Sequence, residues 1–340
     1  MTYVTYAVQK NSRNHLDHIG IIEHLERISY FTPMKTSTGI IAFLGITLSI
    51  MSCSPNEKSS SVEELLRIPF ISTLDQEEHE YFLYLPKGYR DDPAKKWPVM
   101  MFLHGNGERG NGRDELDFVL IHGPLYEAWI QRRDLPFIII SPQLPMFGMD
   151  TLGFDYLTNR DRNSIPKRLP EGTPEREPAG RMSQPMAGAE PVDSLPYVTL
   201  PRGWDQIETD LMNMIDHVLT NYQTDADRVY LTGLSYGGFG TWYMASKHPE
   251  VFAAISPIVG WGHPDLMPPI AQSRLPVWVF SGGRDTVVPK KYFLAGLNKL
   301  EELGHPEVRY TIEEDMGHDT WKRVYGGEDL YRWFLEHKRK

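Results

Sequence analysis

Short hydrophobic runs alternate with amphipathic stretches along most of the chain after residue 68. The runs are rich in β-branched and aromatic residues, which favour strands. They cover residues 80–85, 98–103, 137–141, 228–232, 253–258, 277–281 and 308–313. Such alternation predicts an α/β fold in which a mostly parallel central sheet is covered by helices on both faces.

The stretches between these runs carry apolar residues at helical spacing. In residues 210–219 they stand at Leu211, Met212, Ile215, Val218 and Leu219, and segments 292–303 and 329–337 show similar spacing. One domain over residues 67–340 accounts for the pattern.

Residues 146–200 interrupt the alternation. The segment is too long for a connection within a compact domain and is rich in Pro, Arg, Glu and Gly. We interpret it as an insertion, either an ordered lid or an unstructured segment. It follows the strand that ends near residue 141, so it leaves the sheet at the carboxyl edge and is expected to overhang the active site.

The amino-terminal pattern is typical of a secreted lipoprotein. Residues 39–51 are apolar or small and uncharged, shorter than the roughly 20 residues of a membrane span and suited to a signal-peptide core. The stretch ending at Cys53 resembles a lipobox. We therefore expect residues 1–33 to be a mis-assigned extension, 34–53 a signal peptide ending at a lipidated Cys53, and 54–66 a tether.

Such a protein would be lipid-anchored in a bacterial cell envelope, in the periplasm or on the cell surface, with no other membrane contact. The alternative is a genuine N-terminal extension that contains an unmodified Cys53.

Composition excludes several functions for the 340-residue chain. A formal net charge of −10 argues against nucleic-acid binding, which needs clustered Lys and Arg. A single cysteine excludes an intrachain disulfide and a multi-cysteine zinc site. His263 and Asp265 are close in sequence, but two ligands without a third indicate a turn, so we expect neither a metal nor an organic cofactor.

A Gly-x-Ser-x-Gly motif occupies residues 233–237, after an apolar run and before a helical stretch. The motif needs this strand–turn–helix context, which exposes the serine hydroxyl at a helix N-terminus. Ser235 is the predicted nucleophile. A serine hydroxyl also needs a base within hydrogen-bond reach and a third group that orients the base.

Asp285 and His318 each follow a predicted strand, in the chain order serine, acid, histidine. We predict Asp285 as the acid and His318 as the base. The alternative for Asp285 is a turn residue that caps the next helix, and Asp319 is a competing acid. His305 and His337 are weaker candidates for the base.

A negatively charged carbonyl oxygen needs preorganised N–H donors. The backbone of Tyr236 is one expected donor, and the Gly-rich loop after residue 103 supplies the second from Asn106 or Gly107. The alternative is a plain turn, and His104 is expected to be structural. Trp204 lies just past the insertion, Trp261 follows a strand end and Trp321 follows the expected base. Together they could line a substrate cleft, although core packing explains single aromatic residues equally well.

Four motifs together resemble the carboxylesterase and predicted-peptidase branch of the α/β-hydrolases, which is related to polyhydroxybutyrate-depolymerase-like and feruloyl esterases. They lie at residues 104–110, 233–238, 285–289 and 317–321. The resemblance covers most of residues 80–338. The long insertion and Trp261, where small residues are common, depart from the pattern.

We therefore expect a serine esterase that acts on a small-molecule or oligosaccharide ester through an acyl-enzyme, with acetyl or feruloyl esters of polysaccharides as candidate substrates. Two alternatives remain: a serine peptidase of the same fold, and a surface lipoprotein that binds without catalysis. The sequence does not indicate an oligomeric state.

Overall fold

Eight strands form one sheet in the computed structural model, which describes residues 60–171, 192 and 194–339. Along the sheet their order is β1-β2-β4-β3-β5-β6-β7-β8. β1 pairs with β2 and β2 with β4 in antiparallel fashion, and all other neighbours are parallel. The strands are β1 (Glu64–Ile71), β2 (Glu78–Leu85), β3 (Trp97–Leu103), β4 (Ile138–Ser141), β5 (Thr224–Leu234), β6 (Ala254–Ile258), β7 (Val277–Gly282) and β8 (Val308–Glu313).

Helices cover both faces of this sheet. The α-helices are α1 (Asp155–Thr158), α2 (Glu208–Asn221), α3 (Tyr236–Lys247), α4 (Met267–Ser273), α5 (Phe293–Glu302), α6 (Trp321–Gly326) and α7 (Asp329–Glu336). Short 3₁₀ turns lie at Asn106–Glu108, Leu116–Ile121, Met149–Leu152, Arg162–Ser164, Trp204–Ile207, Pro264–Leu266, Lys290–Tyr292 and His318–Thr320, and a π-turn at Tyr126–Ile130.

Two hydrophobic cores result, one on each face. Alternate side chains of β3 belong to the two cores. Val99 and Met101 pack with α2 to α5, whereas Met100 and Phe102 pack with the turns in residues 116–130 and with α6 and α7. All seven residues of β3 are buried, as expected for a strand covered on both faces. The predicted α/β fold is confirmed.

The strand that sequence patterning missed is β1. It lies at the sheet edge and pairs only with β2, so its residues are half-buried or exposed. Its sequence contains Arg67 and Pro69, which an edge strand tolerates but which hide the strand pattern. The predicted tether 54–66 is therefore wrong at its C-terminal end, because β1 begins at Glu64.

Other N-terminal expectations fall outside the described residues, namely the extension 1–33, the signal peptide 34–53 and the lipidation at Cys53. Within the residues that the structure describes, no helix has the length and hydrophobicity needed to cross a membrane.

The insertion is described over residues 146–171, 192 and 194–200. Its first part forms short turns and helix α1, and a main-chain hydrogen bond of 2.9 Å from Leu169 N–H to the Ile130 carbonyl joins it to the domain. This part is ordered into defined turns, and it adjoins the loop that follows β3, as described below.

Candidate active site

The predicted nucleophile lies in a sharp turn between β5 and α3. Ser235 has φ 51° and ψ −116°, a strained conformation for a residue with a side chain. Its N–H donates to the Ile258 carbonyl at 2.9 Å, which fixes the turn to the neighbouring strand. A Cβ at Gly237 would lie 1.8 Å from the Leu103 carbonyl oxygen, so only glycine lets helix and strand approach this closely.

The loops after β7 and β8 are joined by main-chain hydrogen bonds. Gly283 N–H donates to the Glu313 carbonyl at 2.8 Å, and Arg284 N–H donates to the Met316 carbonyl at 2.9 Å. Because both strands run parallel and end at the same edge as β5, these bonds bring Asp285 and His318 to the side of the sheet that carries Ser235.

Ser235, His318 and Asp285 form one hydrogen-bonded chain. His318 Nε2 lies 3.0 Å from Ser235 Oγ, and His318 Nδ1 lies 2.8 Å from Asp285 Oδ2. Asp285 is fully buried, and its Oδ1 accepts the N–H groups of Val287 and Val288 at 2.8 Å each. A carboxylate held in this way keeps the Nδ1 proton on the imidazole, which leaves Nε2 free to accept the serine proton.

The alternative acid and the alternative bases have other hydrogen-bond partners and do not belong to this chain of hydrogen bonds. Asp319 bonds Lys322 Nζ at 2.9 Å. His305 is buried and accepts the Glu307 N–H at 3.1 Å, and His337 bonds the Trp333 carbonyl at 2.7 Å. His263 accepts the Asp265 N–H at 3.2 Å and caps a turn. The structure thus brings together Ser235, Asp285 and His318.

The expected oxyanion donors lie at the beginnings of two helical turns, where N–H groups have no intrahelical partner. Tyr236 is the first residue of α3, and Asn106 and Gly107 begin a 3₁₀ turn immediately after β3. The Asn106 side chain is already engaged, because its Nδ2 donates to the Tyr156 hydroxyl at 2.8 Å. Tyr156 belongs to the insertion, so the insertion contacts the expected oxyanion loop directly.

His104 stabilises this loop in its neutral form. The Leu144 N–H donates to Nε2 at 2.9 Å, so Nδ1 carries the proton and donates to the Gly105 carbonyl at 2.6 Å. Complete burial lowers the pKa of His104 to about 3. A neutral imidazole with both nitrogens bonded to the backbone has a structural role.

Two buried charged residues of the loop were not singled out from the sequence. Glu108 has its carboxylate oxygens 3.9 Å from His104 Nδ1 and 3.8 Å from His122 Nε2. Burial raises the pKa of Glu108 to about 7 and lowers that of His122 to about 4. Arg109 is also fully buried. Charged residues at the centre of a Gly-rich loop were the sequence signal for both.

The three tryptophans have different environments. Trp204 is 1% exposed and packs edge-on against His104 at 4.8 Å between ring centroids, so the expectation that it contacts substrate is wrong. Trp261 is 6% exposed and packs edge-on against Phe239 at 4.9 Å, which makes it a core residue as well. Trp321 is partly exposed, and its ring lies 5.2 Å from that of His318.

A cavity of about 270 Å³ adjoins Trp321, whose ring contacts that of the expected base. Aromatic rings, the charged residues Glu127 and Lys322, and two residues of the insertion are part of its lining. Its lining includes His122, Tyr126, Trp321, Tyr325, Ser164 and Pro166. The ring of His122 lies 5.4 Å from that of Trp321. The cavity is large enough for a planar aromatic group and lies one side chain away from His318.

Comparison with known proteins identifies the fold and local sequence relatives. Residues 204–267 match the model of the prolyl oligopeptidase family. A poly(3-hydroxyalkanoate) depolymerase C of Paucimonas lemoignei is 46% identical over 50 residues, which are 15% of this chain and 12% of that protein. An acetylxylan esterase A of Emericella nidulans is 46% identical over 44 residues, 13% of this chain and 14% of that protein.

A solved structure described as a thermostable esterase is similar over 81% of this chain and 63% of its own, with 26% identity and a TM-score of 0.52. The chain has the α/β-hydrolase fold, as the four motifs indicated. The aligned region spans less than one sixth of the length of each curated relative.

Proposed function

We propose that this chain is a serine esterase that hydrolyses carboxylic esters through an acyl-enzyme. The observation that carries the proposal is the hydrogen-bonded chain from Ser235 Oγ through the His318 imidazole to the buried Asp285. Nucleophile, base and orienting acid are therefore within hydrogen-bond distance before substrate arrives.

The reaction follows from this geometry. Ser235 Oγ attacks the ester carbonyl carbon while His318 Nε2 takes the hydroxyl proton, and Asp285 stabilises the resulting imidazolium. The carbonyl oxygen becomes an oxyanion that the backbone N–H groups of Tyr236 and of Asn106 or Gly107 would meet. His318 then gives its proton to the leaving alkoxide, and water releases the acid from the acyl-enzyme by the same steps.

Esters are preferred over amides in this proposal. An ester expels an alkoxide more readily than an amide expels an amine. The local similarity to an acetylxylan esterase also supports ester chemistry. The second candidate is a serine peptidase, which the match of residues 204–267 to the prolyl oligopeptidase family favours.

The substrate proposed is an acetyl or feruloyl-type ester of a polysaccharide. The cavity lined by Trp321, which contacts His318, supports a planar aryl group on one side of the ester, because aromatic side chains are among its lining residues. The local similarity to an acetylxylan esterase supports a sugar on the other side of the ester bond.

A substrate panel tests this function. Specificity constants are measured for methyl ferulate, p-nitrophenyl acetate, acetylated xylan fragments and peptide anilides, with Ser235→Ala as the blank. We expect the esters to be hydrolysed and the anilides to be hydrolysed more slowly than all of them. Peptide anilides turned over faster than every ester would instead establish the peptidase, and no turnover with any substrate would favour a binding protein.

A variant of the cavity sharpens the substrate assignment. Trp321→Ala should raise KM for methyl ferulate by about tenfold, because one aromatic contact contributes about 1 kcal/mol beyond its buried area. Hydrolysis of p-nitrophenyl acetate should change less. Tyr197→Ala, which removes an exposed aromatic residue outside this cavity, is the matched control. Equal effects of Trp321→Ala on both esters would contradict the assignment.

We also propose that the mature protein begins at a lipidated Cys53 and is anchored to a bacterial envelope membrane. The lipobox-like residues 50–53 support this proposal. Mass spectrometry of the protein expressed in a bacterium tests it: an N-terminal diacylglyceryl cysteine is expected, and an unmodified chain starting at Met1 would contradict it.

A further inference from the structure

Arg109 lies at the point where four segments around the expected active site meet. Its Nε donates to Asn106 Oδ1 at 2.5 Å, within the oxyanion loop. Its two terminal nitrogens donate to the carbonyls of Pro145 and Arg202, each at 2.8 Å. Its Cζ lies 4.8 Å from the ring centroid of Tyr236, the residue after the nucleophile. Pro145 and Arg202 flank the insertion at its two ends.

The guanidinium fixes the orientation of the Asn106 amide. Arginine has only donors, so the amide must present Oδ1 to Arg109 and must turn Nδ2 away from it. On that other side Nδ2 meets the Tyr156 hydroxyl at 2.8 Å. One contact therefore determines which way the side-chain amide of Asn106 points, and it leaves a donor facing the insertion.

The charge of Arg109 is not balanced by these contacts. Its nitrogens donate to two carbonyls and an amide oxygen, and its side chain also interacts with the Tyr236 hydroxyl. All four groups are neutral. Burial lowers the pKa of Arg109 to about 10, so the side chain stays cationic at neutral pH. A buried cation without a carboxylate partner is costly, and it favours negative charge that develops nearby.

We infer that Arg109 is a positioning residue of the oxyanion hole, which aligns the Asn106 loop with the nucleophile turn at Tyr236 and ties both to the two ends of the insertion. This inference rests on the proposed function. Part of the rate of acyl transfer would then depend on Arg109, a residue that touches neither the ester nor the triad.

Variants of Arg109 test the inference, with kcat and KM for p-nitrophenyl acetate expressed per site titrated by a fluorophosphonate. Arg109→Met should lower kcat about 100-fold, comparable to loss of one oxyanion donor, with KM changed less than about threefold. Arg109→Lys should have a kcat about tenfold higher than that of Arg109→Met, since lysine restores the charge but not the planar guanidinium with its several N–H donors. Arg162→Met is the control, because Arg162 also joins the insertion to this region, through the Asp114 carbonyl and Asp117, but does not bond Asn106.

A double-mutant cycle tests the route through Asn106. Arg109→Lys and Asn106→Ala should be non-additive, with a combined loss in kcat smaller than the product of the single losses. This cycle also decides the matter if Arg109→Met does not fold.

The fluorophosphonate labelling rate separates this inference from the proposed function, because labelling needs the nucleophile and the oxyanion hole but no ester turnover. Arg109→Lys should slow labelling even if no ester in the panel is a substrate. Wild-type labelling and kcat in Arg109→Lys, a loss confined to KM, additive effects with Asn106→Ala, or an equal loss in Arg162→Met would each overturn the inference.

Discussion

The two halves of the candidate active site are stabilised in different ways. The acid–base half consists of the loops after β7 and β8, which main-chain hydrogen bonds join and which carry Asp285 and His318. The oxyanion half consists of the loop at residues 104–115, which depends on buried polar side chains such as His104, Glu108 and Arg109.

The difference between the halves has consequences for chemistry. The main-chain hydrogen bonds that join the two loops of the acid–base half do not titrate. In the oxyanion half, burial has displaced the pKa values of Glu108 and His104, so protonation and folding are coupled there. The oxyanion half also contacts the insertion, because Asn106 Nδ2 donates to the Tyr156 hydroxyl and the Arg109 carbonyl accepts from the Arg160 guanidinium.

The largest expected effect is in the acid–base half. Ser235→Ala or His318→Ala should lower kcat for a good ester substrate by about 10⁵-fold or more, because the triad members act as a unit. The thermal unfolding midpoint should change little, since neither side chain forms part of the two cores. Turnover within tenfold of wild type for either variant, measured with enzyme purified free of host esterases, would contradict the proposed roles.

The acid assignment gives the next largest effect. Asp285→Asn should lower kcat by about 10³- to 10⁴-fold, because the amide no longer holds the required imidazole tautomer. Asp319→Asn is the matched control and should stay close to wild type, since Asp319 pairs with Lys322 instead. The opposite ranking of the two variants in steady-state assays would show that Asp319 is the acid.

The buried Trp204 is expected to affect stability. Trp204→Ala should lower the free energy of unfolding by about 3 to 5 kcal/mol, since it removes a large core side chain that supports His104. Trp321→Ala, at a partly exposed position, should cost less than about 2 kcal/mol. Urea denaturation of both variants checks the ranking, and an equal cost would mean that Trp204 is less important to the core than its burial indicates.

The smallest effect concerns Glu108 and pH. Burial raises the pKa of Glu108 to about 7, whereas the carboxyl group of the unfolded chain loses its proton near pH 4.5. The free energy of unfolding is therefore highest below pH 4.5 and falls as the pH rises from 4.5 to 7. Glu108→Gln removes this loss. The stability of Glu108→Gln relative to wild type should rise by about 2 to 3 kcal/mol between pH 4.5 and 8.

Urea denaturation at both pH values measures this difference. Glu77→Gln, at a side chain that is 67% exposed, is the control and should give the same stability difference at each pH. A pH-independent difference for Glu108→Gln would mean that the carboxylate is ionised in the folded protein.

The contrast between the halves also explains what could be predicted from sequence. Buried strands of a parallel sheet are continuous apolar runs, so seven of the eight strands were found and only the half-exposed edge strand β1, which contains Arg67 and Pro69, was missed. Asp285 and His318 could be named because each follows such a run, and strand ends at one sheet edge lie close together.

The oxyanion half could not be predicted to the same depth. The contacts of Arg109 join residues that are 36 and 93 positions apart in the chain, which no local pattern reveals. Trp204 follows the insertion and Trp321 follows the expected base, yet one is buried and the other lines a cavity, because burial depends on how the loops pack. Position in the sequence therefore did not show which tryptophan is accessible.

The most direct test of the central claim is active-site labelling of the full chain with a fluorophosphonate, followed by mass spectrometry of the peptides. We expect one adduct, on Ser235, that is absent in Ser235→Ala and forms much more slowly in His318→Ala, because the imidazole must take the serine proton. No adduct on the folded wild-type protein, or an adduct on another residue, would contradict the assignment of this chain as a serine hydrolase.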